Sequence, residues 1–191
     1  MSCVKTEALN PTLWRTCRIL ANKTRLRILR ELHTHPEQKV SSITQRLGIS
    51  LSLASQSLRA LNARGLLRAR RIGKFVYYSP CANRSIPGND RLLKAILDAF
   101  ANDKNPENII FHHATAFTHP RRIIIVKALR KHPMKLNEIA FKTNIPLRAL
   151  NRHLRKLAAR GFLKRTDQRR YICRTPRREF ARFLLRLAER A

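Results

Sequence analysis

The side chains able to do chemistry in this chain are overwhelmingly cationic. Its 191 residues carry 41 Lys and Arg against 11 Asp and Glu, a formal net charge of +30. Guanidinium and ammonium groups in such numbers bind phosphate oxygens and displace condensed counterions. The expected partner is therefore a polyanion, with nucleic acid first and an anionic membrane second. Up to Lys104 there are 19 basic and 6 acidic residues, and beyond it 22 and 5, giving +13 and +17. Both halves are basic, so the charge is not a tail appended to a neutral domain.

Other chemistry finds little footing. Cys3, Cys17, Cys81 and Cys173 lie far apart and form no CxxC or CxC pair. Reduced, mostly buried thiols are expected rather than a zinc ribbon or a redox centre. His33 with His35, and His112 with His113, offer nitrogen ligands but have no cysteine beside them. Helix-end or half-buried histidines are expected, with no metal and no cofactor. The acidic residues are scattered and neither GxSxG nor a P-loop occurs, so no catalytic activity is expected. No apolar run approaches the roughly 18 residues of a spanning helix. The N-terminus, with Glu7 and scattered polar residues, lacks a signal-peptide core. These features argue against a membrane and for a cytoplasmic, nucleoid-associated location.

The elements that would position so much charge emerge from an internal repeat. "LNARGLLRARRIGKFVYYSP" (61–80) is answered by "LAARGFLKRTDQRRYICRTP" (157–176), displaced by 96. Upstream, "TRLRILREL" (24–32) resembles "RRIIIVKAL" (121–129), and "VSSITQRLGI" (40–49) resembles "LNEIAFKTNI" (136–145). Two copies of one unit fill the chain, with a boundary expected between residues 1–104 and 105–191.

Each copy can be read locally. In the first, Asn10-Pro11 predicts the start of a helix to about Ala21, and apolar residues at 26, 28, 29 and 32 predict a second. A short helix near 41–47 turns at Gly48. Ser50 then caps a further helix, expected to bury Leu51, Ala54, Leu58 and Leu61 on one face. Gly65 suits the left-handed stop of this helix, and strands at about 66–71 and 74–79 predict a hairpin around Ile72-Gly73. A helix over about 89–101 leads to a linker at 102–106. In the second copy Asn105-Pro106, His119-Pro120 and Asn144 with Pro146 punctuate the same order. Gly161 ends its fourth helix and a hairpin turns near Asp167-Gln168. Thr175-Pro176 starts a last helix with a stripe of Phe180, Phe183, Leu184 and Leu187. The fold class expected is mainly α with small β-hairpin wings.

A helix-turn-helix followed by a two-stranded wing is a DNA-binding layout, and the first copy resembles winged helix-turn-helix regulators of the ArsR family. The resemblance rests on "KTRLRILREL" and "ITQRLGISLSLASQSLRALNARGLLRARRIGKFVYYSP", and extends more weakly to the second copy. It implies that a pair normally made by two chains is fused here into an intramolecular pseudo-dimer. Helices 11–21 and 89–101 would pack against 107–117 and 177–190. That family's metal sensing does not carry over, because "VSSITQRLGI" and "LNEIAFKTNI" hold no cysteine or histidine and "FARFLLRLAER" no histidine.

A helical wheel opposes the apolar face of the helix after Ser50 to Ser52, Ser55, Gln56 and Arg59, which are expected to meet DNA. In the second copy the wheel buries Leu147, Leu150, Leu154 and Leu157 and turns out Arg148, Asn151, Arg152 and Arg155. Arg148 and Arg152 in place of Ser52 and Gln56 predict unlike half-sites. In the wings Arg70, Arg71 and Lys74, and Arg165, Arg169 and Arg170, are expected to grip backbone or minor groove, the rival being a solvated hairpin. The leading expectation is a transcriptional regulator binding double-stranded DNA as a monomeric pseudo-dimer, higher oligomers being conceivable through the apolar last helix. The alternatives are a nonspecific nucleoid-like architectural protein, and an RNA-binding or protein-interaction module on the same fold.

Overall fold

The computed structural model describes residues 12–190, so the Asn10-Pro11 start expected for the first helix lies outside the described residues, as does Cys3. The first copy opens with α1 (Leu13–Leu20) and α2 (Lys23–Thr34). Asn22 caps α2 by accepting from the Arg25 N–H at 2.9 Å, and the period of Leu26, Ile28, Leu29 and Leu32 turns all four into the core. After α3 (Val40–Leu47) the chain reverses at Gly48, in the left-handed region at φ 62°. Ser50 Oγ accepts from the Leu53 N–H at 3.3 Å and starts α4 (Leu51–Asn62).

Gly65 does end the region after α4, at φ 64°. A Cβ there would stand 2.6 Å from the Asn83 Cβ, so both conformation and space demand glycine. The chain then enters β2 (Leu67–Ile72) and β3 (Phe75–Pro80), an antiparallel hairpin with Arg70 opposite Tyr77 and its turn at Gly73-Lys74. A two-residue strand, β1 (Gln38–Lys39), adds to the outer side of β3, giving the order β1-β3-β2. Two residues carry no period, so nothing in the sequence announced β1. The copy closes with α5 (Asn89–Asn102).

The second copy repeats this order with α6 (Pro106–Ala114), a 3-10 turn at Thr115–Phe117, α7 (Pro120–Leu129), α8 (Leu136–Thr143), α9 (Leu147–Ala159), β4 (Leu163–Arg165), β5 (Tyr171–Cys173) and α10 (Glu179–Arg190). Asn144 takes the left-handed position that Gly48 takes in the first copy, at φ 51°. The second wing is cut short: its strands have three residues where the first has six. Met134 bridges Tyr171 as Gln38 bridges Tyr78, so the returning strand is displaced by 93 (78 to 171), not by the 96 that relates Gln38 to Met134. Backbone bonds from Cys81 N–H to Leu66 O and from Arg174 N–H to Phe162 O fix the same offset. The last helix also departs from expectation. It begins at Glu179 rather than 177, because Arg177 and Arg178 form a bend after a buried Pro176.

The copies do not stand apart. The α5 helix packs on α6 and α10, α1 on α6 and the 3-10 turn, and α2 on α6, so one apolar cluster runs through both. Phe117 and Phe162, both fully buried, meet edge to face at 4.7 Å in the second copy's part of that cluster. Across the joint Arg30 pairs with Glu107 at 2.9 Å, Lys23 lies over the Phe111 ring, and Arg178 binds Asp103 of the three-residue linker.

Candidate nucleic-acid interface

The face of α4 opposite the core presents Ser52, Gln56 and Arg59 to solvent, with Ser55 half-buried at its edge. Gln56 Nε2 donates to Ser52 Oγ at 3.3 Å one turn earlier, which holds the amide along the helix. On α9 the corresponding face exposes Arg148, Arg152 and Arg155, with Asn151 half-buried. Among the described residues no carboxylate pairs with Arg59, Arg148, Arg152 or Arg155. These guanidinium groups are open to an anion from outside.

The wheel erred at the first turn of both helices. Ala54, Leu58 and Leu61 are buried, and so are Leu150, Leu154 and Leu157, but Leu51 and Leu147 are exposed. Each is the first residue of its helix and lies at the edge of the core-facing stripe, uncovered although other residues of the same turn are buried. Ala149 is buried at the start of α9 instead.

The wings differ in what already occupies their cations. In the first, Arg70 reaches Glu37 at 3.5 Å, Arg71 Nε donates to Gly73 O at 3.2 Å, and Lys74 lies over the Phe75 ring at 5.5 Å. Lys39, from β1, covers the same ring at 5.0 Å, and Ile72, Phe75 and Val76 are exposed beside these charges. In the second, Arg165 lies over Tyr171 and Arg169 is exposed at a left-handed φ of 58°. Arg170 is turned inward, bonding Pro133 O at 3.1 Å and Glu138 at 3.3 Å, because the shortened hairpin lays it against the start of α8. It braces the wing against the domain.

A cationic cluster that sequence reasoning missed lies where α7 begins beside α9. The His119 and His153 rings are 4.7 Å apart, with Arg121, Arg122 and Arg152 around them. Burial, then His119 and these arginines, push His153 down to about 4. His119 is lowered by burial and then by Arg122, Arg121 and Arg152. Its Nδ1 accepts the Arg121 N–H at 3.2 Å and so caps α7, as Asn22 caps α2. His153 stands where the first copy has Ser57. Comparing the copies would have singled out each histidine, but not their meeting.

The remaining reactive side chains are quiet. Cys17 is buried, Cys81 and Cys173 are half-buried, and all three are free thiols. Burial pushes the Cys17 thiol far up despite nearby Arg122, and burial with Glu189 pushes Cys173 up to about 12. Among the described residues no group of three or more His, Cys, Asp and Glu is arranged to hold a metal. No helix among them is long and apolar enough to cross a membrane.

Comparison with known proteins places these units. The model of the arsR family of bacterial regulatory proteins matches the chain twice, over residues 22–69 and 119–165. The matches cover α2 to β2 in the first copy and the start of α7 to β4 in the second. No curated protein matches the chain.

Proposed function

The chain carries two arsR-family regulatory domains in tandem, and from that premise we propose that it is a transcriptional regulator gripping duplex DNA as a single-chain pseudo-dimer. The observation that carries the reading is the doubled polar face: α4 and α9 each follow a tight turn and each turn hydrogen-bonding or cationic side chains to solvent. In this reading residues 1–104 and 105–191 are the two halves. Ser52, Ser55, Gln56 and Arg59 enter one major groove, and Arg148, Asn151, Arg152 and Arg155 the next. Gln bridges adenine, Arg bridges guanine or phosphate, and Ser takes either. Arg70, Arg71 and Lys74, with Arg165 and Arg169, hold the backbone beside the grooves. Arg170 adds charge while bracing its wing.

Binding, not catalysis, is the work this arrangement supports, in whatever compartment holds the DNA. The experiment is selection from randomised duplexes followed by competition. A regulator prefers its selected duplex over random DNA by roughly 10³ or more. Sedimentation in high salt supplies the second half of the test, with a particle near the 22.2 kDa chain mass expected. A net charge of +30 favours one rival, a protein that coats DNA without preference, and equal affinity for all duplexes would establish it.

A further inference from the structure

Two exposed apolar side chains occupy the same place in the two copies. Leu51 opens α4 and is 61% exposed; Leu147 opens α9 and is 47% exposed. They are separated by the repeat displacement of 96, so the feature recurs although Ser52, Ser55 and Gln56 are replaced by Arg148, Asn151 and Arg152 on this face. A single leucine in water is ordinary. The same leucine opening both helices is a repeated feature that a contact outside the chain would account for.

Its surroundings identify that contact. Leu51 stands four residues before Ser55, and Leu147 four before Asn151, so each leucine shares a stripe with a polar residue of the outward face. Arg148 and Arg152 beside Leu147 have no carboxylate partner, and Arg59 lies two turns beyond Leu51 on the outward face. An apolar side chain at the head of a helix that also carries open cations suits a polyanion that also shows apolar groups. In the major groove the first-turn residues of a recognition helix reach the base edges. There thymine alone presents a methyl group, which an apolar side chain can cover. Leu53, 41% exposed, is left out, because its counterpart Ala149 is buried and the feature does not repeat.

We propose that Leu51 and Leu147 read thymine, each covering the C5-methyl of one thymine at the equivalent position of its half-site. This rests on the duplex-DNA reading above, and it supplies two specificity-determining residues that the polar face alone does not contain.

The test uses the full chain and the duplex recovered by randomised selection, with each thymine replaced singly by deoxyuridine, which deletes only the methyl. Wild type should lose about three- to fivefold in affinity at one position in each half-site, the worth of one methyl withdrawn from water. Leu51→Ala should abolish that sensitivity in one half only, and Leu147→Ala in the other only. Both side chains are solvent-exposed, so an unchanged circular dichroism spectrum should accompany each loss. Indifference of wild type to deoxyuridine at every position, or sensitivities that survive both substitutions, overturns the assignment. If selection yields no preferred duplex, the regulator reading itself fails and this assignment with it. A preferred duplex without leucine-dependent methyl sensitivity sinks the assignment alone.

Discussion

Arg30, on α2 of the first copy, donates to Glu107, on α6 of the second, at 2.9 Å, and the pair closes one edge of the joint between the copies. Arg30 is half-exposed in this pair, so its worth is small. A double-mutant cycle on Arg30→Ala and Glu107→Ala should give a coupling below about 1 kcal/mol that shrinks with added salt. The joint is held by the apolar cluster behind the pair.

That cluster makes a stronger prediction. Phe117→Ala empties a fully buried site at the Phe162 contact and should cost about 3–5 kcal/mol. Because one core runs through both copies, unfolding should remain a single transition in urea. The single tryptophan, Trp14, reports the joint by fluorescence, because α1 packs on α6 and the 3-10 turn of the second copy, while far-UV circular dichroism reports the whole chain. Non-coincident transitions would mean that the copies fold independently.

Salt dependence tests the wings. If 6 to 10 phosphates are contacted, log affinity should fall with log salt at a slope of roughly −5 to −9. Removing Arg70 and Arg71 together should flatten the slope by about two and leave sequence preference intact. Glu37→Gln, which releases Arg70 from its carboxylate at 3.5 Å, should strengthen binding to every duplex alike. A slope unchanged by the double substitution takes the first wing off the DNA.

Acid should loosen the second copy through His113. Burial, with His112 beside it, holds its pKa at about 4 against an ordinary 6.5, and its ring edge meets Phe162 at 5.8 Å. A histidine kept neutral by the fold binds its proton more readily when unfolded, so stability rises with pH through this window. The contribution is complete above 6.5 and is lost as the pH falls toward 4. His113→Gln should flatten the decline of the urea midpoint across that range, and an equal decline in both proteins would assign the loss elsewhere.

The unlike outward faces of α4 and α9 predict an asymmetric site, with two different half-sites about 10 bp apart. Gln56→Ala should cost roughly 1–3 kcal/mol and relax one or two positions of one half-site. Arg152→Ala should leave that half untouched. Randomised-site selection on wild type and both variants decides it, and a perfect palindrome altered in both halves by either change would exclude unlike readout.

The order of elements was legible in the residues because local physics sets it. The cap Ser50, the left-handed Gly65 and the helical period of Leu26, Ile28, Leu29 and Leu32 act within a few residues of one another. The duplication was legible for the same reason, as one pattern of local signals met twice. Tertiary structure alone decided what depends on distant neighbours. β1 exists only because β3 offers it an edge, and the second wing's shift to a displacement of 93 shows only in the bridge from Met134 to Tyr171. Arg170 turned inward because Glu138 stands within reach, and His119 met His153 across two helices. A wheel assigns Leu51 and Leu147 by angle, but burial requires a neighbour at that height on the helix. At the first residue of α4 and of α9 no such neighbour stands over the side chain, although Ala54 and Ala149 in the same turns are buried, and both leucines are left facing water.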